Sequence, residues 1–253
     1  RRMLLTQKSF TEAARALALW VGMLIDEAHR HPDKDKREAA DDLIQMLTPI
    51  IKAYFTDMGS ECANLAVQTY GGHGYIREHG VEQLVRDCRI ALIYEGTNTI
   101  QALDLVGRKL PMHMGRLLRT FFHPVDTYIR ARLEKPELAE FVLPLAKAFG
   151  RLQQASALLA QKGLADPEEA AAGATDYLRL FGLVTYAYLW SRMAELALAK
   201  TDGADGAFYK GKLATARFFM ARLLPESSAL FAQIGARSEE RRVGEECRYR
   251  WAA

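Results

Sequence analysis

Apolar residues recur at helical spacing between positions 43 and 66, and this stripe constrains the fold more strongly than any other feature of the chain. Recurrence at i, i+3, i+4 and i+7 places side chains on one face of an α-helix, whereas a half-buried strand would alternate strictly. Pro49 lies within the stripe and is expected to mark a kink or a late start of the helix. The members of the stripe are Leu43, Met46, Leu47, Ile50, Ile51, Tyr54, Phe55, Met58, Cys62, Leu65 and Ala66.

Helical patterns also flank this segment. A first helix is predicted over residues 1–29, ending at the polar linker HRHPDKDKRE. The long helix is predicted to end at Gly71 and Gly72, because glycine readily takes the left-handed conformation at a helix C-terminus. After a loop to about residue 80, a short helix is predicted over residues 81–94, and another begins at Thr97 as its N-cap.

Residues 111–236 are rich in Ala and Leu and predict three or more further helices. Helix breakers separate them at Pro136, residues 163–167, residues 201–206 and Pro225. No alternating strand pattern of useful length occurs in the sequence. The predicted fold is therefore all-α, with a helical bundle over residues 1–110 followed by a second helical domain over residues 111–236. Residues 237–253 are highly charged without an apolar stripe, and we expect a disordered or non-native tail.

Composition narrows the class of protein. No apolar run reaches the roughly 18 residues that would cross a bilayer. A formal net charge of +3 over 253 residues does not favour nucleic acid as a partner. The three cysteines are odd in number and far apart, which favours a reducing, cytoplasmic location over a disulfide framework. The chain begins within a helical pattern and without an initiator Met, so we interpret it as a fragment of a longer protein.

Several familiar site patterns are not met. The stretch GGHGYIR would need glycine in place of Arg77 to match a dinucleotide loop, and it follows a helix instead of a strand. The six histidines do not pair with other ligands at metal-binding spacing, so no metal is expected. His73 is interpreted as an ordinary loop residue. No serine lies in a G-x-S-x-G motif.

Glu95 is the candidate catalytic residue. The apolar residues 90–94 lead directly into it, and Gly96 and Thr97 follow. A general base needs partial burial to raise its pKa, which the apolar run would supply, and Gly96 would leave room for a substrate. The alternative is a surface acid favoured by the dipole of the helix that starts at Thr97, which would lower the pKa. The pattern by itself leaves both interpretations open.

The stretch QTYGGHGY…VRDCRIALIYEGTNTIQ, within residues 68–101, resembles the C-terminal signature of the acyl-CoA dehydrogenase family. The Gln-x-x-Gly-Gly-x-Gly-Tyr loop, the Arg-Asp pair and the Tyr-Glu-Gly-Thr turn occur in the family's order and spacing. The resemblance covers residues 1–110, and the start of the chain is similar to the 3-methylmercaptopropionyl-CoA dehydrogenase-like branch of the family. Members of that branch carry an appended helical C-terminal domain, which residues 111–236 resemble.

The resemblance implies a reaction and its site residues. Glu95 would remove the α-proton of an acyl-CoA thioester while the β-hydrogen leaves as hydride to FAD, giving a trans-2-enoyl-CoA in fatty acid β-oxidation. The backbone N–H of Glu95 would donate to the thioester carbonyl, and Gly96 would line the substrate site. The residues that would bind FAD are Gln68, Thr69, Tyr70, Gly71, Gly72, Thr97, Asn98 and Thr99.

The resemblance also implies partners. Residues 68–72 would contact FAD bound mainly by a neighbouring subunit, so a homodimer or homotetramer is expected, with electron-transfer flavoprotein as the electron acceptor. The family's N-terminal helical domain and middle β-domain are absent here, so this fragment alone is expected to bind FAD weakly and to lack dehydrogenase activity. Two alternatives stay open: an acyl-CoA oxidase that shares the base, and a non-catalytic binding or scaffolding protein of the same fold.

Overall fold

The computed structural model of the protein describes residues 1–236, and within that range the chain forms helices and no strand. The all-α prediction is confirmed. The first part of the chain folds into α1 (Arg2–Arg30), α2 (Lys34–Tyr70), α3 (Gly72–Tyr75), α4 (Val81–Arg89) and α5 (Asn98–Asp104). The second part folds into α6 (Met112–Arg130), α7 (Ala139–Ala165), α8 (Pro167–Ala172), α9 (Ala174–Leu198), α10 (Gly206–Phe218) and α11 (Ser227–Gly235). The predicted tail, residues 237–253, lies outside the described residues.

Helix α2 begins earlier than the apolar stripe indicates. Asp33 caps its N-terminus, because the side-chain carboxylate accepts a hydrogen bond from the backbone N–H of Asp35 at 2.9 Å. The second half of the expected linker therefore forms the first turns of the helix. The helix continues through Pro49, which is buried, so the expected late start there is wrong. A polar segment can join a helix when a capping residue satisfies its first backbone N–H groups.

The segment between α2 and α5 contains more helix than expected. In place of the predicted loop to residue 80, α3 is followed by a 3₁₀ turn over Arg77–His79. Helix α4 ends at Arg89, earlier than predicted, and a second 3₁₀ turn covers Ile90–Leu92. Two π-helical turns, Leu105–Lys109 and Phe219–Leu223, follow α5 and α10. Short turns of this kind are common where a helix ends or changes register.

Helix α9 lies at the centre of the fold. Every residue from position 180 to position 191 is buried, so the helix is covered on all sides by its neighbours. A helix that is apolar around its whole circumference requires this placement. Its Trp190 is fully buried and donates its indole N–H to the backbone carbonyl of Ser9 on α1, at 3.2 Å.

The two predicted segments share this core. Tyr54 on α2 packs against Tyr186 on α9, with 5.0 Å between ring centroids, and Phe10 on α1 contacts both rings. A Cβ added to Gly182 on α9 would lie 2.5 Å from the Tyr54 ring, so only glycine allows this approach of α2 to α9. The hydrophobic core is thus continuous across position 110. A division into two domains at that position stays a prediction.

Candidate active site

Glu95 occupies a strained turn between the 3₁₀ turn at Ile90–Leu92 and the start of α5. Its φ angle is 53°, and that of Gly96 is 88°, so two consecutive residues adopt left-handed backbone conformations. Glycine takes such a conformation freely, but for a glutamate it costs on the order of 1–3 kcal/mol. Non-glycine residues held in this region cluster at functional sites, where surrounding structure over-determines the backbone. His113 and Met114, at the start of α6, have similar φ angles of 49° and 55°, so the strain singles out Glu95 only in combination with its sequence motif.

Glu95 is exposed, and the expectation that the preceding apolar run buries it is wrong for this chain. Ile90, Ile93 and Tyr94 are themselves about half exposed. The run is apolar, yet within the described residues it is only partly buried. Among the described residues, no side chain forms a hydrogen bond or an ion pair with the Glu95 carboxylate. Any desolvation of this carboxylate would therefore come from groups other than residues 1–236 of the same chain.

Asn98, the first residue of α5, is tied to α2. Its side-chain Nδ2 lies 2.6 Å from Oδ1 of Asp57, 3.0 Å from Oγ1 of Thr56 and 3.3 Å from the backbone carbonyl oxygen of Ala53. The resemblance assigns Asn98 to FAD binding, but the structure directs its side chain at α2 instead. Sequence reasoning missed Thr56 and Asp57, because single polar residues beside an apolar stripe look like ordinary solvent-facing positions.

The two threonines beside Asn98 remain available to a ligand. Thr97 is the residue at the N-cap of α5, as predicted, but its side chain forms no capping hydrogen bond. Both Thr97 and Thr99 are exposed, and their hydroxyl groups have no protein partner within the part of the chain that the structure describes. These hydroxyls can therefore donate to an acceptor that approaches the turn.

Asp57 connects this region with the second part of the chain. Partial burial raises the pKa of the Asp57 carboxyl above its ordinary value, although the hydrogen bond from Asn98 and the charges of Arg179 and Arg89 act against that rise. Arg179 comes from the buried helix α9. Its guanidinium also pairs with Glu226, at 2.5 Å. Positive charge from α9 thus faces the back of α2 beside Asp57.

The other predicted cofactor residues, Gln68, Thr69, Tyr70, Gly71 and Gly72, are exposed at the C-terminal end of α2. Gly71 ends the helix with φ 63° and ψ −143°, a conformation open essentially to glycine alone, instead of the expected left-handed helical cap. Gln68 lies eleven residues beyond Asp57, which is about 16 Å along an α-helix. The structure therefore does not bring residues 68–72 and the Glu95 turn together within one chain.

Gly74 is needed for the fold at the C-terminal end of α2, and the sequence pattern did not single it out. It is buried, and a Cβ there would lie 2.5 Å from the carbonyl oxygen of Val67 and 2.8 Å from Cβ of Tyr70. Glycine at this position lets α3 fold back against the last turn of α2. His73 is exposed next to the His79 ring, and the described residues contain no cluster that could hold a metal ion.

Large apolar side chains are exposed at several positions between residues 70 and 100. We call them the open apolar face; its members are Tyr70, Tyr75, Ile76, Leu84, Ile90, Ile93, Tyr94 and Ile100. Where exposed apolar side chains form a large patch, they typically bind another surface or a ligand. No helix in the described part of the chain is long and apolar enough to span a membrane.

A large cavity in the described part of the chain lies elsewhere. It has a volume of about 830 Å³ and lies between the π-helical turn Leu105–Lys109 and helices α6, α7 and α8. None of its lining side chains is titratable. The two polar side chains of the lining are Gln153 and Ser156. The Ser156 hydroxyl already forms a hydrogen bond with the Tyr177 hydroxyl, at 2.7 Å. Because no group there can move a proton, we place the candidate chemistry at Glu95.

Comparison with known proteins identifies the same family in both parts of the chain. The family description "Acyl-CoA dehydrogenase, C-terminal domain" matches residues 1–110, and "Acetyl-CoA dehydrogenase C-terminal like" matches residues 121–240. A 3-methylmercaptopropionyl-CoA dehydrogenase of Ruegeria pomeroyi is 38% identical, over 92% of this chain and 40% of the relative. A butyryl-CoA dehydrogenase of Syntrophomonas wolfei is 33% identical, over 89% of this chain and 38% of the relative. The chain thus spans about two fifths of the length of these relatives.

A solved structure shows the same fold. The acyl-CoA dehydrogenase of Bacillus anthracis, complexed with FAD, superposes with a TM-score of 0.71 over 92% of this chain and 41% of that chain. Only 19% of the aligned residues are identical, so the likeness concerns the arrangement of helices. It extends over both parts of the chain, in agreement with their common core.

Proposed function

This chain belongs to the acyl-CoA dehydrogenase family and corresponds to the C-terminal domains of its members. We propose that the full-length protein is an FAD-dependent acyl-CoA dehydrogenase. It would convert an acyl-CoA thioester to the trans-2-enoyl-CoA, with Glu95 as the base. The observation that carries the proposal is the left-handed backbone of Glu95 and Gly96, with φ angles of 53° and 88°, in the family's Tyr-Glu-Gly-Thr turn.

Glu95 acts on the substrate through two of its groups. The carboxylate takes the proton from the α-carbon as the Cα–H bond breaks. The backbone N–H has no acceptor among the described residues, so it can donate to the thioester carbonyl oxygen, where negative charge develops. A fixed donor at this oxygen is needed because an unaided carboxylate is too weak a base for an α-proton. Gly96, next to it, has no side chain to obstruct the thioester.

The residues present fit FAD in part. Bound FAD supplies the acceptor for the β-hydrogen, which leaves with its electron pair. Thr97 and Thr99 present unpaired hydroxyls beside Glu95, and Gly71 has no atom within 4 Å of the place where a Cβ would be, so a cofactor could approach its backbone. The side chain of Asn98 does not fit this role, because α2 already holds it.

The same geometry supports the proposal of an oligomer. Residues 68–72 lie about 16 Å along α2 from the level of the Glu95 turn, so one chain alone cannot surround the reacting centre with both groups. We propose that residues 68–72 contact FAD of a neighbouring subunit in a homodimer or homotetramer. The open apolar face would be covered in that assembly or by the preceding domains. Electron-transfer flavoprotein is the proposed electron acceptor.

The test uses the full-length protein with its flavin bound. Acyl-CoA thioesters of different chain lengths are mixed with it anaerobically, and loss of flavin absorbance is followed for the wild type and for Glu95→Gln. The wild type should bleach with its own substrate class, while Glu95→Gln should keep its flavin and reduce it at least about 10³-fold more slowly, as expected for loss of a general base. Glu78→Gln, an exposed glutamate in the Arg77–His79 turn, is the matched control.

The outcomes separate the alternatives. Equal bleaching by the wild type and Glu95→Gln would show that another group takes the proton. A flavin that no thioester bleaches would favour the non-catalytic binding protein. If the reduced flavin consumes oxygen rapidly and ignores electron-transfer flavoprotein, the enzyme is an acyl-CoA oxidase.

A further inference from the structure

We propose that Asn98 is a positioning residue for Glu95, acting as a clamp that ties the catalytic turn to α2 through Asp57. The inference rests on the proposed role of Glu95 and adds a residue to it. The resemblance places Asn98 at the cofactor, whereas the structure assigns its side chain to the scaffold.

The clamp has three points of contact at long sequence separation. The Asn98 amide reaches Asp57, Thr56 and the carbonyl of Ala53, which lie 41 to 45 residues earlier in the chain. The contact to Asp57, at 2.6 Å, is the shortest of the three, as expected for a hydrogen bond to a carboxylate. The amide nitrogen has two N–H groups to share among these three acceptors, and the amide oxygen can accept from the Thr56 hydroxyl at 3.2 Å, so several polar groups of α2 restrain the first residue of α5.

Fixing this residue fixes the backbone of Glu95. Only Gly96 and Thr97 lie between the two residues, so an anchored Asn98 limits how far the Glu95 backbone can move. The left-handed conformation of Glu95 is unfavourable by itself, so an untied turn would relax toward ordinary backbone angles. Relaxation would move both the carboxylate and the N–H that the reaction needs. A displacement of about 1 Å at a reacting group costs on the order of 10²-fold in rate.

The back of the clamp is supported from the second part of the chain. Asp57 is partly buried, and its negative charge faces Arg89 and Arg179, of which Arg179 belongs to α9. Arg179 is held in place by Glu226 and lies 3.7 Å from Glu61 on α2. The anchor of the turn is therefore a partly buried network of charged residues that joins α2 to α9, whereas the turn itself is exposed.

The experiment measures the rate of flavin reduction in the full-length holoenzyme for three variants. Asn98→Ala removes the clamp and should lower the rate about 10- to 100-fold, with little change in KM or in flavin content. Asp57→Asn keeps the shape but removes the charge and should lower the rate less. The exchange variant Asp57→Asn with Asn98→Asp restores an amide–carboxylate pair with the roles reversed but leaves the Ala53 carbonyl without its donor, so it should recover part of the lost rate.

A second readout follows the proton itself. Exchange of the α-hydrogen of a bound acyl-CoA that cannot be dehydrogenated, measured in D₂O, should slow in Asn98→Ala by the same factor as flavin reduction. Asp104→Asn is the matched control. It removes the ion pair between the last residue of α5 and Arg108 without touching the Asn98 contacts, and it should leave both rates unchanged.

The results that would overturn the proposal are distinct. Wild-type rates in both Asn98→Ala and Asp57→Asn would show that the clamp does not position Glu95. Loss of flavin from Asn98→Ala that the exchange variant fails to restore would make Asn98 a cofactor ligand. If Asn98→Ala does not fold, Asp57→Asn and the exchange variant still test the pair. A failure of the base assignment appears separately, as rapid flavin reduction by Glu95→Gln.

Discussion

Helix α9 and the Glu95 turn are opposite in almost every physical respect. Residues 180–191 of α9 are buried without exception, and the helix contacts both parts of the chain. Residues 93–97 are exposed without exception, and the backbone there is strained. Helix α9 packs against its neighbours on all sides and stabilises the fold. The Glu95 turn leaves carboxylate, N–H and hydroxyl groups unsatisfied, which is what a site requires when its remaining walls come from another domain or subunit.

The largest effect should come from the core of α9. Trp190→Ala deletes a fully buried indole and its hydrogen bond to Ser9, and should lower the free energy of unfolding by about 3–5 kcal/mol. Tyr75→Ala, which truncates an exposed aromatic of the open apolar face, should change it by less than about 0.5 kcal/mol. Urea unfolding of the chain measures both. A similar decrease in the free energy of unfolding for the two variants would contradict the described difference in burial between α9 and the open apolar face.

A smaller effect tests how closely α2 and α9 approach. Gly182→Ala places a Cβ against the Tyr54 ring and should destabilise the chain by about 1–3 kcal/mol, since the core must shift to admit it. Gly150→Ala is the matched helical control on α7, where nothing lies within 4 Å of the added atom. That change should stabilise the chain by up to about 1 kcal/mol. Thermal unfolding of both variants should therefore shift in opposite directions, and a shared direction would contradict the close approach.

The smallest expected change in stability comes from Glu95, where one variant should stabilise the chain while it removes the proposed activity. Glu95→Gly relieves the left-handed strain and should raise the free energy of unfolding by about 0.5–1 kcal/mol, while Glu95→Gln, which keeps the strain, should leave it unchanged. Both variants remove the carboxylate, so both should abolish flavin reduction in the full-length enzyme. Urea unfolding combined with the bleaching assay measures the two quantities. A destabilised Glu95→Gly would show that the turn is not strained.

The sequence predicted the helices well because their signal is local. The apolar stripe of α2 and the punctuation by glycine and proline arise from neighbours a few residues apart, and tertiary structure rarely overrides them over such lengths. The start of α2 was missed because a capping aspartate, Asp33, brought a polar stretch into the helix. The common core of the two parts was missed because periodicity shows which face is apolar but not what covers it.

The sequence predicted which residues belong to the candidate site, but not their exposure, side-chain directions or backbone conformation. The motif located Glu95, yet its exposure depends on which surfaces cover residues 90–94, and the pattern of one chain does not contain those surfaces. The direction of the Asn98 side chain was equally hidden, because its partners lie more than 40 residues away. The strain at Glu95 could not be foreseen either, since a left-handed glutamate has no sequence signature apart from the glycine beside it.

The contact between Tyr54 and Gly182 has a consequence for how such proteins can evolve. Because the ring occupies the space where any side chain at position 182 would begin, neither residue can change freely while the other stays. A larger residue at 182 requires a smaller one at 54, so accepted substitutions at these positions should appear as a linked pair across the lineage. Exchange of the α9 segment between related proteins would then have to bring along its matching residue at position 54 on α2.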